Sequence, residues 1–309
     1  MYLLEKSVMY VRNHTLMRWH ARAGGVADFA RLRRPPRSIG FDTSNSRHVH
    51  LGDHLFLEPV MRACRLRGVE VVVAPGAAMR DYFRDAGYTV VQPEVVLRQE
   101  LRIAPVFMYD SMPRHERGSR FLYLNTIDHR IQRPVAEHLA EQVVRAALLD
   151  VDAVPIDGRP HLVAPGPTAL DDAEGRWLLF NDSVDSGWFR VTRWDRAVLA
   201  DVAAEQRRAG FRIARVGTEA ERIARPERLG IDELDLRGRT SVMDLFRLLR
   251  SPRVEGTVSF DHVVAHMGMA CGKPAIVKVR RGSRRHGEFM KRFLIPPFAA
   301  GRATPVRFV

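Results

Sequence analysis

The feature that most constrains the fold is a change of period repeated along the chain. From residue 38 onward, short runs of β-branched and aromatic residues alternate with longer segments whose apolar positions recur every three to four residues. In the first half this predicts strands at 38–42, 69–74, 88–91, 101–109 and 120–125, with helices at 53–66, 77–86 and 133–149. Runs such as Val71-Val72-Val73-Ala74 are apolar on both sides of the pleat, as in parallel strands covered on both faces. A Pro/Gly-rich stretch from Val154 to Pro167 interrupts the pattern. Beyond it the alternation resumes, with strands at 177–180, 211–216, 234–236, 257–260 and 275–279 and helices at 194–208, 240–249 and from 262. The expectation is an α/β protein of two halves of similar size, each with a parallel sheet, and a cleft between them. The domain boundaries read as a basic extension 1–37, a first domain 38–165 and a second domain 166–309.

The chain has 309 residues and a formal net charge of +13. Such a charge invites an anionic partner, but 45 of the 49 basic residues are arginine and four (Lys6, Lys273, Lys278, Lys291) are lysine. A ratio this lopsided fits a compositional bias across the whole chain, so the charge carries little functional information. It is densest in residues 1–37 and in Arg280-Arg281-Gly282-Ser283-Arg284-Arg285. In the extension, Leu3, Leu4, Val8, Val11, Leu16 and Trp19 fall along one side of a helix. That side suits either an anionic lipid surface or the body of the protein. Cys64 and Cys271 sit in apolar stretches far from any partner and read as free thiols of a reducing compartment. No apolar run approaches bilayer length, and the N-terminus lacks the pattern of a secretory signal. The expected location is cytoplasmic, with peripheral attachment at the inner membrane face through residues 1–37 left open.

Ligands of such sheets bind at the carboxyl ends of strands, where helix N-termini offer free N–H groups to anions. Two strand-to-helix junctions carry polar residues there. In the first, His50-Leu51-Gly52-Asp53-His54, Gly52 reads as a sharp turn and Asp53 as the residue that opens the helix, able to accept a proton from a hydroxyl. Taken alone, Asp53 reads more readily as an N-cap worth about 1 kcal/mol. In the second, Ser259-Phe260-Asp261-His262-Val263-Val264-Ala265-His266, Asp261 reads as the cap of a helix whose first N–H groups suit a diphosphate. His266 by itself reads as a hydrogen-bonded core histidine. His48, His50 and His54 cluster near Asp53, but their spacing fits no standard ligand set and no metal is expected. Asp128, His129 and Arg130 follow a predicted strand and stand as acceptor contacts, with an N-cap role for Asp128 equally open.

Together these segments resemble glycosyltransferase family 9, the heptosyltransferase-like enzymes. Gly52-Asp53-x-Leu55-x3-Pro59 is similar to the family's N-terminal signature, and Asp261-x4-His266-x5-Gly272-x-Pro274 to its C-terminal one. Gly238-Arg239-Thr240-Ser241 through Leu245 resembles the segment before the donor site. Thr192-Arg193-Trp194 and Val216-Gly217-Thr218-Glu219-Ala220-Glu221 stand where the family has two further elements. The resemblance implies a GT-B fold and inverting, metal-independent transfer from a nucleotide-diphosphate sugar to a saccharide, lipid-linked or small-molecule hydroxyl, with no cofactor. That fold has two Rossmann-like domains with parallel sheets facing a central cleft. The resemblance further implies Asp53 as the base, Asp261 with the N–H groups of His262, Val263 and Val264 on the donor's diphosphate and sugar, His266 in support of that loop, and Glu221 or Glu219 on the ribose. By their place beside Asp53 or at the cleft floor, Gly52, His54, Asp128 and His129 stand toward the acceptor, and Arg190, Arg193 and Arg239, with Thr218 and Thr240 in the neighbouring motif segments, stand toward the donor. The chain departs from the pattern at His262-Val263, where the family has Thr-Gly, and at Thr192, where it has lysine. These departures keep two rivals in view: a non-catalytic anion-binding protein of the same fold, and a sugar-nucleotide epimerase. No specific nucleic-acid partner is expected.

Overall fold

A computed structural model describes residues 26–28, 32–44, 49–105, 121–124, 133–183, 191–224, 234–279, 288, 291–292 and 304–309. The chain divides into two compact units, the break falling between His161 and Leu162.

The first unit carries β1 (Val26–Asp28), β2 (Ser38–Thr43), α1 (Leu51–Arg65), β3 (Glu70–Pro75), α2 (Arg80–Asp85), β4 (Thr89–Val90), α3 (Pro93–Val96), β5 (Leu101–Pro105), β6 (Phe121–Leu124) and α4 (Val135–Ala146). Its sheet has the order β1-β6-β5-β2-β3-β4. Strands β2 to β6 run parallel, with Phe41 level with Val73 on one side and Ile103 on the other. The edge strand β1 is antiparallel to β6, pairing Val26 with Leu124. That edge departs from an all-parallel expectation and lies inside the segment assigned to a basic extension; the helical side drawn through Leu3–Trp19 falls outside the described residues. Helix α1 packs against α4, with Leu57, Val60 and Met61 fully buried on one helix and Leu139, Ala140 and Val143 on the other. Each large aliphatic side chain buried in this way contributes about 1.5–3 kcal/mol.

The second unit carries β7 (Arg176–Asn181), α5 (Arg193–Arg208), β8 (Phe211–Arg215), α6 (Glu219–Ala224), β9 (Leu234–Asp235), α7 (Val242–Arg250), β10 (Val254–Phe260), α8 (Val263–Ala270), β11 (Ala275–Lys278) and β12 (Val306–Phe308). Its sheet, β12-β11-β10-β7-β8-β9, is parallel throughout, and in chain order within the unit reads 3-2-1-4-5-6, the Rossmann order. Phe180, Leu199, Ile213, Val258 and Phe260 form the core between α5 and the sheet. In each unit the strand order reverses once, between β2 and β5 in the first and between β7 and β10 in the second. Crevices at such reversals are where ligands of open α/β sheets bind.

The irregular stretch before the break is held onto the first unit. Arg67 donates to the carbonyls of Asp150, Val151 and Val154, and Arg62 to those of Asp157 and Arg159. Glu58, buried in α1, accepts from the His161 N–H at 2.8 Å and from the Tyr88 hydroxyl at 2.9 Å. Burial pushes the Glu58 carboxyl up from its ordinary pKa, with Arg62 nearby opposing the shift. Among the described residues, no helix is long and apolar enough to cross a membrane.

Candidate active site

In the first unit the reversal point is the junction of β2 with α1. The cap of α1 is His50, whose extended backbone (φ −81°, ψ 164°) makes the turn, so Gly52 is not the turn residue and Asp53 is not the cap. Gly52 is an ordinary helical residue of the first turn, without the positive φ a sharp glycine turn requires. Asp53 reaches back from that turn, and its Oδ2 accepts the His50 N–H at 2.7 Å. The carboxylate is thereby held at the helix N-terminus, where the partial positive charge favours an anion.

His54 corrects the sequence reading more strongly. Expected as an acceptor contact, it is 2% exposed, and both ring nitrogens are engaged inside the unit. Nδ1 lies 3.0 Å from the His50 carbonyl and Nε2 3.1 Å from Thr43 Oγ1. A carbonyl can only accept, so Nδ1 carries the proton and the Thr43 hydroxyl donates to Nε2. Burial lowers the His54 pKa to about 4, so the ring is neutral at ordinary pH and ties the end of β2 to the start of α1. His48, Asp128, His129 and Arg130 lie outside the described residues.

In the second unit the reversal point brings more charge together. Asp261 follows β10 directly, and its Oδ1 lies 2.9 Å from Nε2 of His266, which is 5% exposed in α8. The cap of α8 is not Asp261 but His262, whose Nδ1 accepts the Val264 N–H at 3.3 Å. Val263 and Val264 are buried as the first residues of that helix. Next to this turn, Phe260 is in register with Lys278 at the end of β11. Lys278 is 5% exposed; its Nζ donates to the Val279 carbonyl at 3.2 Å and lies 3.9 Å from Asp195 Oδ1 and 4.9 Å from the Trp194 ring. Trp194 and Asp195 belong to the first turn of α5, capped by Thr192, whose Oγ1 accepts from Asp195 N while Asp195 Oδ2 accepts from Thr192 N. Arg193 is exposed in that turn, and Arg190 lies outside the described residues.

On the other side of β7, two glycines make room for two carboxylates. Gly217 (φ +157°) lies so close to Glu221 that an added Cβ would stand 2.2 Å from Oε2. The same Oε2 accepts the Thr218 N–H at 2.7 Å, and Oε1 is buried with no hydrogen-bond partner among the described residues. Gly238 (φ +71°) bears the same relation to Glu219, at 2.1 Å. Of these two glutamates only Glu221 is buried; Glu219 faces solvent and pairs with Arg222 at 2.8 Å. Arg239 is exposed in the turn after β9, and Thr240 precedes α7, which starts after the Ser241 cap.

Beneath these loops lie two ion pairs that the sequence reading missed. Arg215 at the end of β8 is 1% exposed and donates to Asp182 at 2.9 Å. Arg237 grips Asp235 through Nε and Nη2 at 3.0 and 2.8 Å and holds that carboxyl down at about 2. The signal of the first was an arginine at the end of a mostly apolar strand, Phe211–Arg215, and it was lost among 45 arginines. Burial raises the thiols of both free cysteines to about 12, so each is protonated at ordinary pH. Among the described residues, no three His, Cys, Asp or Glu side chains converge as a metal site.

The fold is thus a pair of Rossmann-like α/β units, each with polar residues at its reversal point, the GT-B class. No protein-family model matches the sequence, and no curated protein matches it by sequence. Solved structures do match by shape. The chain is similar to a glycosyl transferase family 9 protein from Veillonella parvula, at 13% identity and TM-score 0.55 over 91% of this chain and 88% of that one. It is also similar to the E. coli ADP-heptose LPS heptosyltransferase II, at 12% identity and TM-score 0.50 over 88% and 90%. A third match is E. coli heptosyltransferase WaaC with ADP, at 12% identity and TM-score 0.51 over 82% and 97%.

Proposed function

We propose that this protein is a glycosyltransferase that moves a sugar from a nucleotide-diphosphate donor to an acceptor hydroxyl, with the second unit holding the donor and the first the acceptor. One observation carries the reading: the Asp261–His266 pair sits at the reversal point of the second unit's sheet, in a chain whose fold is similar to that of a glycosyl transferase family 9 protein at TM-score 0.55. Glu221 supports it. A buried carboxylate oxygen with an empty coordination place, beside a glycine, suits the hydroxyl of a ribose. The acceptor is a glycan, a lipid-linked saccharide or a small molecule, and the sugar is a heptose or a related one. Inverting transfer without a metal or cofactor is carried over from the family resemblance. Attachment to the inner membrane face through residues 1–37 belongs to the same proposal.

In the proposed reaction the acceptor oxygen attacks the anomeric carbon as its proton passes to the Asp53 carboxylate. The bond from that carbon to the phosphate oxygen breaks, and the nucleoside diphosphate leaves with the electron pair. The His50 N–H orients Asp53 for this role. A base so placed contributes about 10²–10⁴-fold in rate. Asp261, fixed by His266, takes the sugar hydroxyls, the N–H groups that open α8 face the diphosphate, and the negative charge of the leaving group is met at the edge of β10 and β11.

The non-catalytic rival has one observation in its favour: the His262 ring already occupies an amide at the start of α8. A thermal-shift screen against nucleoside diphosphates and their sugars separates the two, because a ligand that binds the native state raises Tm. The expected result is a selective shift with at least one nucleotide, and Asp53→Asn that keeps this shift but loses kcat by about 10²-fold or more. Full turnover by Asp53→Asn removes Asp53 as the base, and no shift with any nucleotide favours the rival.

A further inference from the structure

The geometry points to Lys278 as the cation that binds the diphosphate of the donor, a role that rests on the donor reading of the second unit. The family resemblance provides a lysine before the tryptophan of α5, and this chain has Thr192 there, with Arg193 turned out to solvent. Lys278 comes to the same tryptophan from a different strand. Its ammonium lies 4.9 Å from the Trp194 ring, at the carboxyl edge of β11 and in register with the residue before Asp261. The position is therefore beside the turn that leads into α8.

Two further observations mark this ammonium as built for an anion. It is 5% exposed and has three hydrogens to donate, yet the hydrogen bond described for it is a single one, to the Val279 carbonyl. Among the described residues the nearest carboxylate, Asp195, stands 3.9 Å away, within ion-pair range but outside hydrogen-bonding distance. Asp195 Oδ2 is moreover occupied by the N–H and hydroxyl of Thr192 at 3.0 and 2.6 Å. A buried cation left with donor capacity is costly unless an anion completes it, and phosphate oxygens arriving over the edge of β10 and β11 would do so. Residue type agrees. A compact ammonium on a flexible stem reaches a phosphate as a point charge, whereas the planar fork of arginine needs more room. In a chain with 45 arginines, this is one of four lysines.

The test is calorimetry on the full chain with ADP, UDP, GDP and TDP and the corresponding nucleosides, using wild type and Lys278→Met. The expected result is that wild type binds at least one diphosphate and that Lys278→Met weakens this binding roughly 10- to 100-fold, the range of a charge-assisted hydrogen bond. Affinity for the nucleoside stays within about twofold, while Tm falls to some extent because Asp195 and the Trp194 ring lose their cation. A purely structural lysine would instead weaken nucleoside and diphosphate alike. Equal diphosphate affinity in Lys278→Met overturns the assignment while leaving the donor reading intact. Absence of any diphosphate binding by wild type overturns both. Should Lys278→Met not fold, Lys278→Gln, neutral and able to donate to the Val279 carbonyl, carries the same comparison.

Discussion

The two units present their reversal points in different chemical styles. In the first, Asp53 is held by a backbone N–H and its neighbour His54 is buried as a neutral ring between a carbonyl and a hydroxyl. In the second, the same edge rests on full charges: Asp182 with Arg215, Asp235 with Arg237, and Lys278 beside Asp195. The contrast matches the ligands proposed for them. An acceptor hydroxyl is neutral, and a single carboxylate on a neutral frame is enough to take its proton. A diphosphate brings several charges, and a site for it must keep cations and carboxylates in fixed positions before it arrives. Building charge into an interior is expensive, so the two edges should fail differently when disturbed.

The largest expected failure is at Arg215. Replacing it with methionine removes the guanidinium that faces the buried Asp182, and the second unit should lose about 3–5 kcal/mol by urea or thermal unfolding. Changing Asp182 to leucine in the same chain should recover most of the loss; a single variant as stable as wild type would show that the ion pair does not hold this edge. Next comes pH in the first unit. His54 binds a proton less readily folded (about 4) than at its ordinary 6.5, so the stability it provides is complete above 6.5 and disappears as pH falls toward 4. At 1.36 kcal/mol per unit this amounts to about 3 kcal/mol, and His54→Gln should flatten the slope in that window. Glu58 acts with the opposite sign. Its raised carboxyl favours the folded state at low pH and ceases to do so as pH climbs through its folded pKa, which partly masks the histidine. The smallest effect is Gly217→Ala, about 1 kcal/mol or somewhat more in stability from the positive φ and the crowding of Glu221. It should weaken nucleoside binding while leaving acceptor-side chemistry untouched, and unaltered nucleoside affinity would take Glu221 out of the donor site.

Much of the architecture was legible because burial on both faces writes itself into sequence. Val71–Ala74 and Leu178–Phe180 are apolar runs, and each lies in a strand of the sheet interior. The edges were not. β1 and β12 are three residues each, and they exist because a neighbouring strand offers its hydrogen bonds, which no local pattern records. Helix starts were misplaced for a related reason. His50 and His262 cap α1 and α8, and histidine lies outside the usual capping set, so the nearby aspartates drew the assignment. His54 read as a site residue because sequence distance to Asp53 is short, whereas the helix turns the two side chains to different surroundings. Asp261 and His266 were legible as a pair, five positions apart across the start of a helix. Lys278 was legible only through its rarity.

The arginine clamp on the irregular stretch has a practical consequence for taking the molecule apart. Arg62 and Arg67 satisfy the carbonyls of Asp150, Val151, Val154, Asp157 and Arg159, and Glu58 satisfies the amide of His161. A gene truncated after Ala147, at the end of α4, would strip two guanidinium groups and a buried carboxylate of these bonds and yield a fragment prone to aggregate. Extending the same gene to His161 restores each bond. The natural cut for expressing the halves separately therefore lies where the clamp ends.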